Sequence, residues 1–254
     1  MNYQKNEAEI EIMRIGGRIL AQVVAEIVKE VKPGVSTSHL DMLARQSLKA
    51  HNASPSFLGY RTGKFSFPAS LCTSVDNAVV HGIPSPDFIL QEGQIIGLDL
   101  GAWYKGLCTD MAVTVSVGKI SKSAGKLIKI TREALTQAIV QVHAGARVGD
   151  IGEAIQSLAE AAGFNVVRAL VGHGVGRAVH EEPRIPNFGQ RGTGFLLQDG
   201  MTIAIEPMIN AGKSEVKVLP DNWTVVTVDN SLSAHFEHTV LVTKHGAEIL
   251  TIID

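Results

Sequence analysis

The stretch Gly93–Gly118, GQIIGLDLGAWYKGLCTDMAVTVSVG, places two aspartates, Asp99 and Asp110, in segments that otherwise read as buried strands. Apolar and β-branched residues run on both sides of Tyr104–Gly106, so the stretch predicts a hairpin turning at YKG. If the turn centres on Tyr104–Lys105, the two aspartates face each other directly. If it centres one residue later, they are diagonal neighbours on one face. Like charges side by side oppose strand pairing, and no Lys or Arg alternates with them here. One strand aspartate is ordinarily solvent-exposed; two on one face point to a cation between them.

Helical patterns flank the hairpin. Ile12, Ile15, Ile19, Val23, Ile27 and Val31 recur at helical spacing, and Lys32–Gly34 (KPG) ends the run. A second helix is expected to begin near Ser36–Ser38, with hydroxyl caps and Asp41 in its first turn. Adding 111 to each number maps Ile19, Val23, Val24, Ile27, Val28, Val31 and Gly34 onto Ile130, Ala134, Leu135, Ala138, Ile139, Val142 and Gly145. Leu40 and Leu43 map onto Ile151 and Ala154, and Asp150 with Glu153 resembles a capping box. Strand-like stretches follow the second pair as well: GMTIAIEPMI (Gly200–Ile209) and HFEHTVLVT (His235–Thr243). The expectation is an α+β fold of two quasi-equivalent halves, approximately 8–118 and 119–254, each a helix pair on one face of a mostly antiparallel sheet. No Pro/Ser-rich or charged linker divides them, so residues 1–254 are expected to form a single domain.

Acids recur where strands should be apolar. Glu206 ends the run MTIAIEP and Glu237 sits in AHFEHTVLVT. His173 lies among the glycines of VGHGVGRAVHEEP (Val171–Pro183), with His180 seven residues on. Buried acids need a partner or a metal. Four carboxylates and one imidazole form a hard, oxygen-rich donor set, suited to two divalent ions sharing carboxylates rather than to one zinc. The residues alone therefore point to a dinuclear hydrolase centre.

Composition narrows the setting. The chain has 254 residues, 23 basic against 25 acidic, for a net charge of −2, which argues against nucleic-acid or anionic-membrane partners. Two cysteines, Cys72 and Cys108, make no disulfide framework and suggest a reducing, cytoplasmic setting. The start lacks the pattern of a signal peptide, and no apolar stretch is long enough to span a membrane.

Five blocks, in order, resemble the motifs of type I methionine aminopeptidases: VVHGIP (Val79–Pro84), LDLGAWYKGLCTD (Leu98–Asp110), GHGVGRAVHEEP (Gly172–Pro183), AIEPMI (Ala204–Ile209) and SLSAHFEHTVLVT (Ser231–Thr243). VKPGVST (Val31–Thr37) also fits, and the resemblance covers essentially the whole chain. It implies the pseudo-two-fold "pita-bread" fold of creatinases and aminopeptidases, with a curved sheet. It also implies a metal-dependent aminopeptidase that removes initiator methionine from nascent proteins near the ribosome, preferring a small second residue, as a monomer.

By that resemblance Asp99, Asp110, His173, Glu206 and Glu237 hold two divalent ions (Co, Mn, Fe or Zn). Asp110 and Glu237 bridge them, Asp99 chelates one, and His173 with Glu206 holds the other. A metal-bridging hydroxide attacks the first peptide bond and Glu206 shuttles the proton. His81 and His180 contact substrate and the tetrahedral intermediate as catalytic, non-ligand residues; from the residues alone His81 reads rather as a turn histidine before Gly82 and His180 as a helix- or strand-end polar residue. Tyr60, Phe67, Cys72 and Trp223 line the methionine pocket, although Cys72 also suits a buried small hydrophobe. Phe67 and Val179 depart from the Tyr and aromatic residue common there, and RTGKFSF (Arg61–Phe67) is longer than usual by about two residues. By the same resemblance, the chain's own Met1–Asn2 start is expected to keep its methionine.

Two rivals share the fold. Xaa-Pro peptidases and creatinases carry a large additional N-terminal domain, whereas only about 90 residues precede the Asp99 strand here. The type II enzymes carry a long insertion between ligands that are here only 31 residues apart, Glu206 and Glu237. A non-catalytic binding protein on this fold would have lost ligands, and all five are present.

Overall fold

The structure, a computed structural model, describes residues 3–252, so the Met1–Asn2 expectation lies outside the described residues. Four helices stand among them: α1 (Glu7–Glu30), α2 (Thr37–Ala50), α3 (Lys122–Val140) and α4 (Val148–Ala161). The 111-residue offset carries both ends of α2 onto those of α4. The turns before them match as well, through Gly34 at φ +91° and Gly145 at φ +96°, a backbone that side chains resist.

The capping details differ in part from the sequence expectation. Ser36 caps α2 through the His39 N–H, as the hydroxyl implied. Asp41 is not in the first turn; its carboxylate reaches across and accepts from the Ser70 and Leu71 N–H groups, at 2.7 and 3.0 Å. The α4 cap is not an Asp150–Glu153 box either. The N-cap is Arg147, whose N–H donates to Asp150 at 2.7 Å, and Asp150 also accepts from the Gly192 N–H. An acid three residues inside a helix satisfies the cap backbone whatever the cap side chain is. At the first helix, Asn6 and Glu9 exchange reciprocal bonds of 3.0 and 2.8 Å, beginning α1 before its apolar periodicity does.

Each helix pair buries one stripe on the sheet. Leu20, Val23, Val24 and Ile27 of α1 and Leu40, Ala44 and Leu48 of α2 pack with Ile96, Leu98 and Leu100. Leu127, Leu135 and Ala138 of α3 and Ile151 and Ile155 of α4 pack with Ile203, Ile205, Val240 and Val242. Each buried Leu, Ile or Val contributes roughly 1.5–3 kcal/mol of transfer free energy, so this face is committed to the helices. Strands alternate, and the other face is left for side chains of different chemistry.

The main sheet has nine strands, and its pairings are antiparallel. The first half supplies Leu71–Val75, Ile95–Tyr104 and Leu107–Ser116 in that lateral order; the second supplies Glu237–Thr243, Thr202–Ile205 and Val171–Gly174. The halves join where Leu107–Ser116 meets Glu237–Thr243. Across that seam Asp110 N–H donates to Thr239 Oγ1, and the same hydroxyl donates to the Asp110 carbonyl, both at 2.8 Å.

Candidate metal centre

The hairpin register decides between the two arrangements left open by the sequence. Tyr104 pairs with Leu107 across a tight Lys105–Gly106 turn, and Asp99 stands opposite Ala112 while Asp110 stands opposite Gly101. The two aspartates are therefore diagonal neighbours on one face. Neither is solvent-exposed: Asp99 is 7% accessible and Asp110 2%.

The pairing extends that face sideways. Cys72 pairs with Asp99, and Ala112 lies opposite both Asp99 and Glu237. Ala204 lies opposite both Thr239 and His173. Residues in register share a face, and steps of two along each strand add Asp110, Glu237 and Glu206 to it. Five adjacent strands thus present Asp99, Asp110, Glu237, Glu206 (the residue just past Thr202–Ile205) and His173 in lateral order. Small residues, Ala112 and Ala204, stand between the acids in the row.

The chemistry of this row fits a divalent metal. Asp99 Oδ1, Asp110 Oδ1 and Glu237 Oε1 are buried with no hydrogen-bond partner. Asp110, His173 and Glu237 each offer a donor atom within 4.8 Å of the others. His173 Nδ1 lies 2.8 Å from the Gly174 carbonyl and so donates to it, leaving the Nε2 lone pair free, 3.7 Å from Glu206 Oε1. A backbone carbonyl holding one ring nitrogen while the other faces acids is the orientation metal-binding histidines adopt.

Burial pushes the Asp99 carboxyl up to about 7. Burial, reinforced by the neighbouring carboxylates, pushes Asp110, Glu206 and Glu237 well above the usual range. Burial holds His173 and His235 down at about 3 and His81 at about 4, so the imidazoles are neutral and bring no positive charge. The acids here lack a cation of the protein's own.

A cavity of about 160 Å³ lies over the row. The four acids and the imidazole of the row line it, with His81, His180, Tyr60, Phe67, Cys72 and Trp223. A wider cleft of about 550 Å³ shares His81, His173, His180 and Glu206 with it. The structure therefore brings together every site residue singled out in the sequence. Phe67 and Trp223 pack edge to face at 5.3 Å, and burial pushes the Cys72 thiol up, so that wall is neutral and apolar. Tyr60 Oη lies 2.7 Å from His180 Nδ1, and the His180 ring stacks edge-on against His173 at 4.3 Å. His81 follows the Ala78–Val80 strand with φ +58°, a conformation uncommon outside glycine and one that turns up at functional sites. RTGKFSF folds into a small exposed ladder, Arg61–Thr62 against Phe65–Ser66, at the edge of this wall.

Three residues of the site escaped sequence reading. Phe57 and Thr62 line the cavity without any periodic or motif signal. His235 is buried with its Nε2 3.7 Å from Glu206 and 3.8 Å from Glu237; its position two residues before Glu237 was the available clue.

Residues 11–244 match the model of metallopeptidase family M24. The chain is 47% identical to the methionine aminopeptidase of Clostridium perfringens over 98% of both chains. The crystal structure of the methionine aminopeptidase of Thermotoga maritima superposes with a TM-score of 0.95 at 43% identity, covering 100% of each chain. A prolidase from Pyrococcus furiosus shares the fold at 24% identity and TM-score 0.78, with this chain covering 66% of it. The fold is the pita-bread fold, and the chain belongs to metallopeptidase family M24, among the methionine aminopeptidases.

Proposed function

We propose that this protein removes the initiator methionine from nascent chains with a small second residue, acting in the cytoplasm as a monomeric, single-domain enzyme on chains leaving the ribosome. The observation that carries the reading is the shared cavity: five metal-competent donors and an apolar, aromatic wall enclose a space of about 160 Å³. That volume is below the range of drug-sized pockets and suits one unbranched side chain. The wider cleft beside it has room for the rest of the polypeptide.

Asp99, Asp110, His173, Glu206 and Glu237 would hold two divalent ions. When bound, such ions polarise the scissile carbonyl and bring the pKa of a water toward neutrality. Mn, Fe, Co and Zn all accept oxygen and imidazole donors, and metal analysis of protein purified without added metal identifies the one used. Glu206 lines both cavities, and in this reading it takes a proton from the attacking water and returns it to the leaving amine. A phenol is the stronger proton donor of its pair with imidazole, so Tyr60 Oη–H donates to His180 Nδ1 and leaves the proton on Nε2. His180 and His81 then act as neutral N–H donors to the carbonyl oxygen as charge develops on it; such donors are worth roughly 3 kcal/mol each in well-studied hydrolases.

The test is hydrolysis of Met-Ala-Ser with added Co(II), Mn(II) or Fe(II), before and after chelation. No cleavage by metal-loaded protein, or equal cleavage after EDTA, refutes the proposal. His180→Ala should bind metal normally and lose most of its turnover; lost metal binding would contradict its assignment as a non-ligand.

A further inference from the structure

His235 is the one buried imidazole at this centre that the ligand set and the substrate donors leave without a task. It is 3% accessible, and its Nε2 has no hydrogen-bond partner. Its backbone is pinned on both sides: His235 N–H donates to Thr114 Oγ1 at 2.9 Å, and that hydroxyl donates to the His235 carbonyl at 2.8 Å. Pairing of His235 with Met208 fixes it a second time. The ring is thus carried on a backbone held by the first half of the fold and by the strand beside Glu206. Its Nε2 sits almost equidistant from Glu206 Oε2 at 3.7 Å and Glu237 Oε2 at 3.8 Å.

Both distances lie just beyond a hydrogen bond, and a shift of less than about 1 Å by either carboxylate closes the gap. A buried polar atom without a partner is costly to keep, and these two oxygens face it. We infer that His235 is a positioning residue whose Nε2–H is shared between Glu206 and Glu237 and sets the orientation in which they receive metal. The inference rests on the reading of the row as a metal centre. It assigns His235 to neither the ligands nor the groups touching substrate. Groups that orient ligating carboxylates typically change metal affinity by about 10–100-fold when removed.

The experiment compares the wild-type protein with His235→Leu and His235→Gln by calorimetric titration with Co(II) and by the Co(II) absorption bands, with circular dichroism as the check on folding. His235→Leu keeps bulk and loses the donor; it should bind Co(II) about 10–100-fold more weakly with unchanged band positions. His235→Gln supplies an amide N–H of similar reach and should recover most of the affinity. If His235→Leu does not fold, His235→Asn replaces it, its donor being one methylene short, with the same loss expected. Wild-type affinity in the leucine or asparagine variant, or no recovery with glutamine, overturns the inference. Displaced absorption bands in His235→Gln would make His235 a ligand and overturn it too. Failure of the wild-type protein itself to bind Co(II) would instead remove the metal-centre reading, and this inference with it.

Discussion

Removing the metal should make the stability of this protein fall as pH rises, the reverse of the usual acid lability. Asp99 has a folded pKa of about 7 against an ordinary value of 3.8, and burial is the cause. The folded state therefore holds a proton that the unfolded chain has released throughout that window. Stability from this group is fully present below about pH 4 and is lost progressively as pH rises toward 7. At about 1.4 kcal/mol for each pH unit, the loss is on the order of 4 kcal/mol, or roughly 10 °C in Tm for a chain of this size. Asp110, Glu206 and Glu237, also raised by burial, extend the decline to higher pH. A bound cation takes the place of those protons, so the stability gained on adding metal should widen with pH. The assay is thermal unfolding between pH 5 and 8, with chelator and with Co(II) or Mn(II). Asp99→Asn, uncharged in both states, should flatten the chelated slope. A chelated protein whose Tm stays level or rises across that range would refute the argument.

Other perturbations test the frame around the centre. Lys5→Met removes the buried cation 2.8 Å from Glu181, the residue after His180. It should cost roughly 1–3 kcal/mol in urea unfolding and lower kcat more than Co(II) affinity. Thr239→Val breaks both bonds across the seam at Asp110 and should cost roughly 1–3 kcal/mol by thermal melting; an unchanged Tm would show that the halves do not depend on it. A Cβ at Gly82 would stand 2.2 Å from the Thr73 carbonyl oxygen. Gly82→Ala should therefore destabilise by roughly 1–3 kcal/mol and, by moving His81, reduce turnover; unaltered kcat would argue against a substrate-side role for His81.

Much of the fold was written in local pattern. The apolar spacing from Ile12 to Val31, the KPG stop and the 111-residue echo specify two helix pairs, because amphipathic periodicity and backbone-breaking residues act within a few positions. The acids were legible for a related reason: Asp99, Asp110, Glu206 and Glu237 violate strand propensity, and a chain keeps such violations where something compensates for them.

Other features were beyond one-dimensional reading. A shift of one residue in the hairpin turn moves Asp110 from opposite Asp99 to its diagonal, and either arrangement suits YKG. Asp41 caps a loop 29 residues on rather than its own helix, a bond that depends on where separate segments meet in space. Phe57 and Thr62 line the cavity, and His235 faces two of its acids, only because strands and loops far apart in the chain converge there. The sequence by itself determined the helices, the repeat and the identity of the five candidate ligands, since periodicity and charge are properties of neighbours. Tertiary structure alone decided the register, the shared face and the place of His235. Those follow from lateral pairing between strands far apart in the chain, such as that of Glu237 with Ala112, which local pattern does not encode.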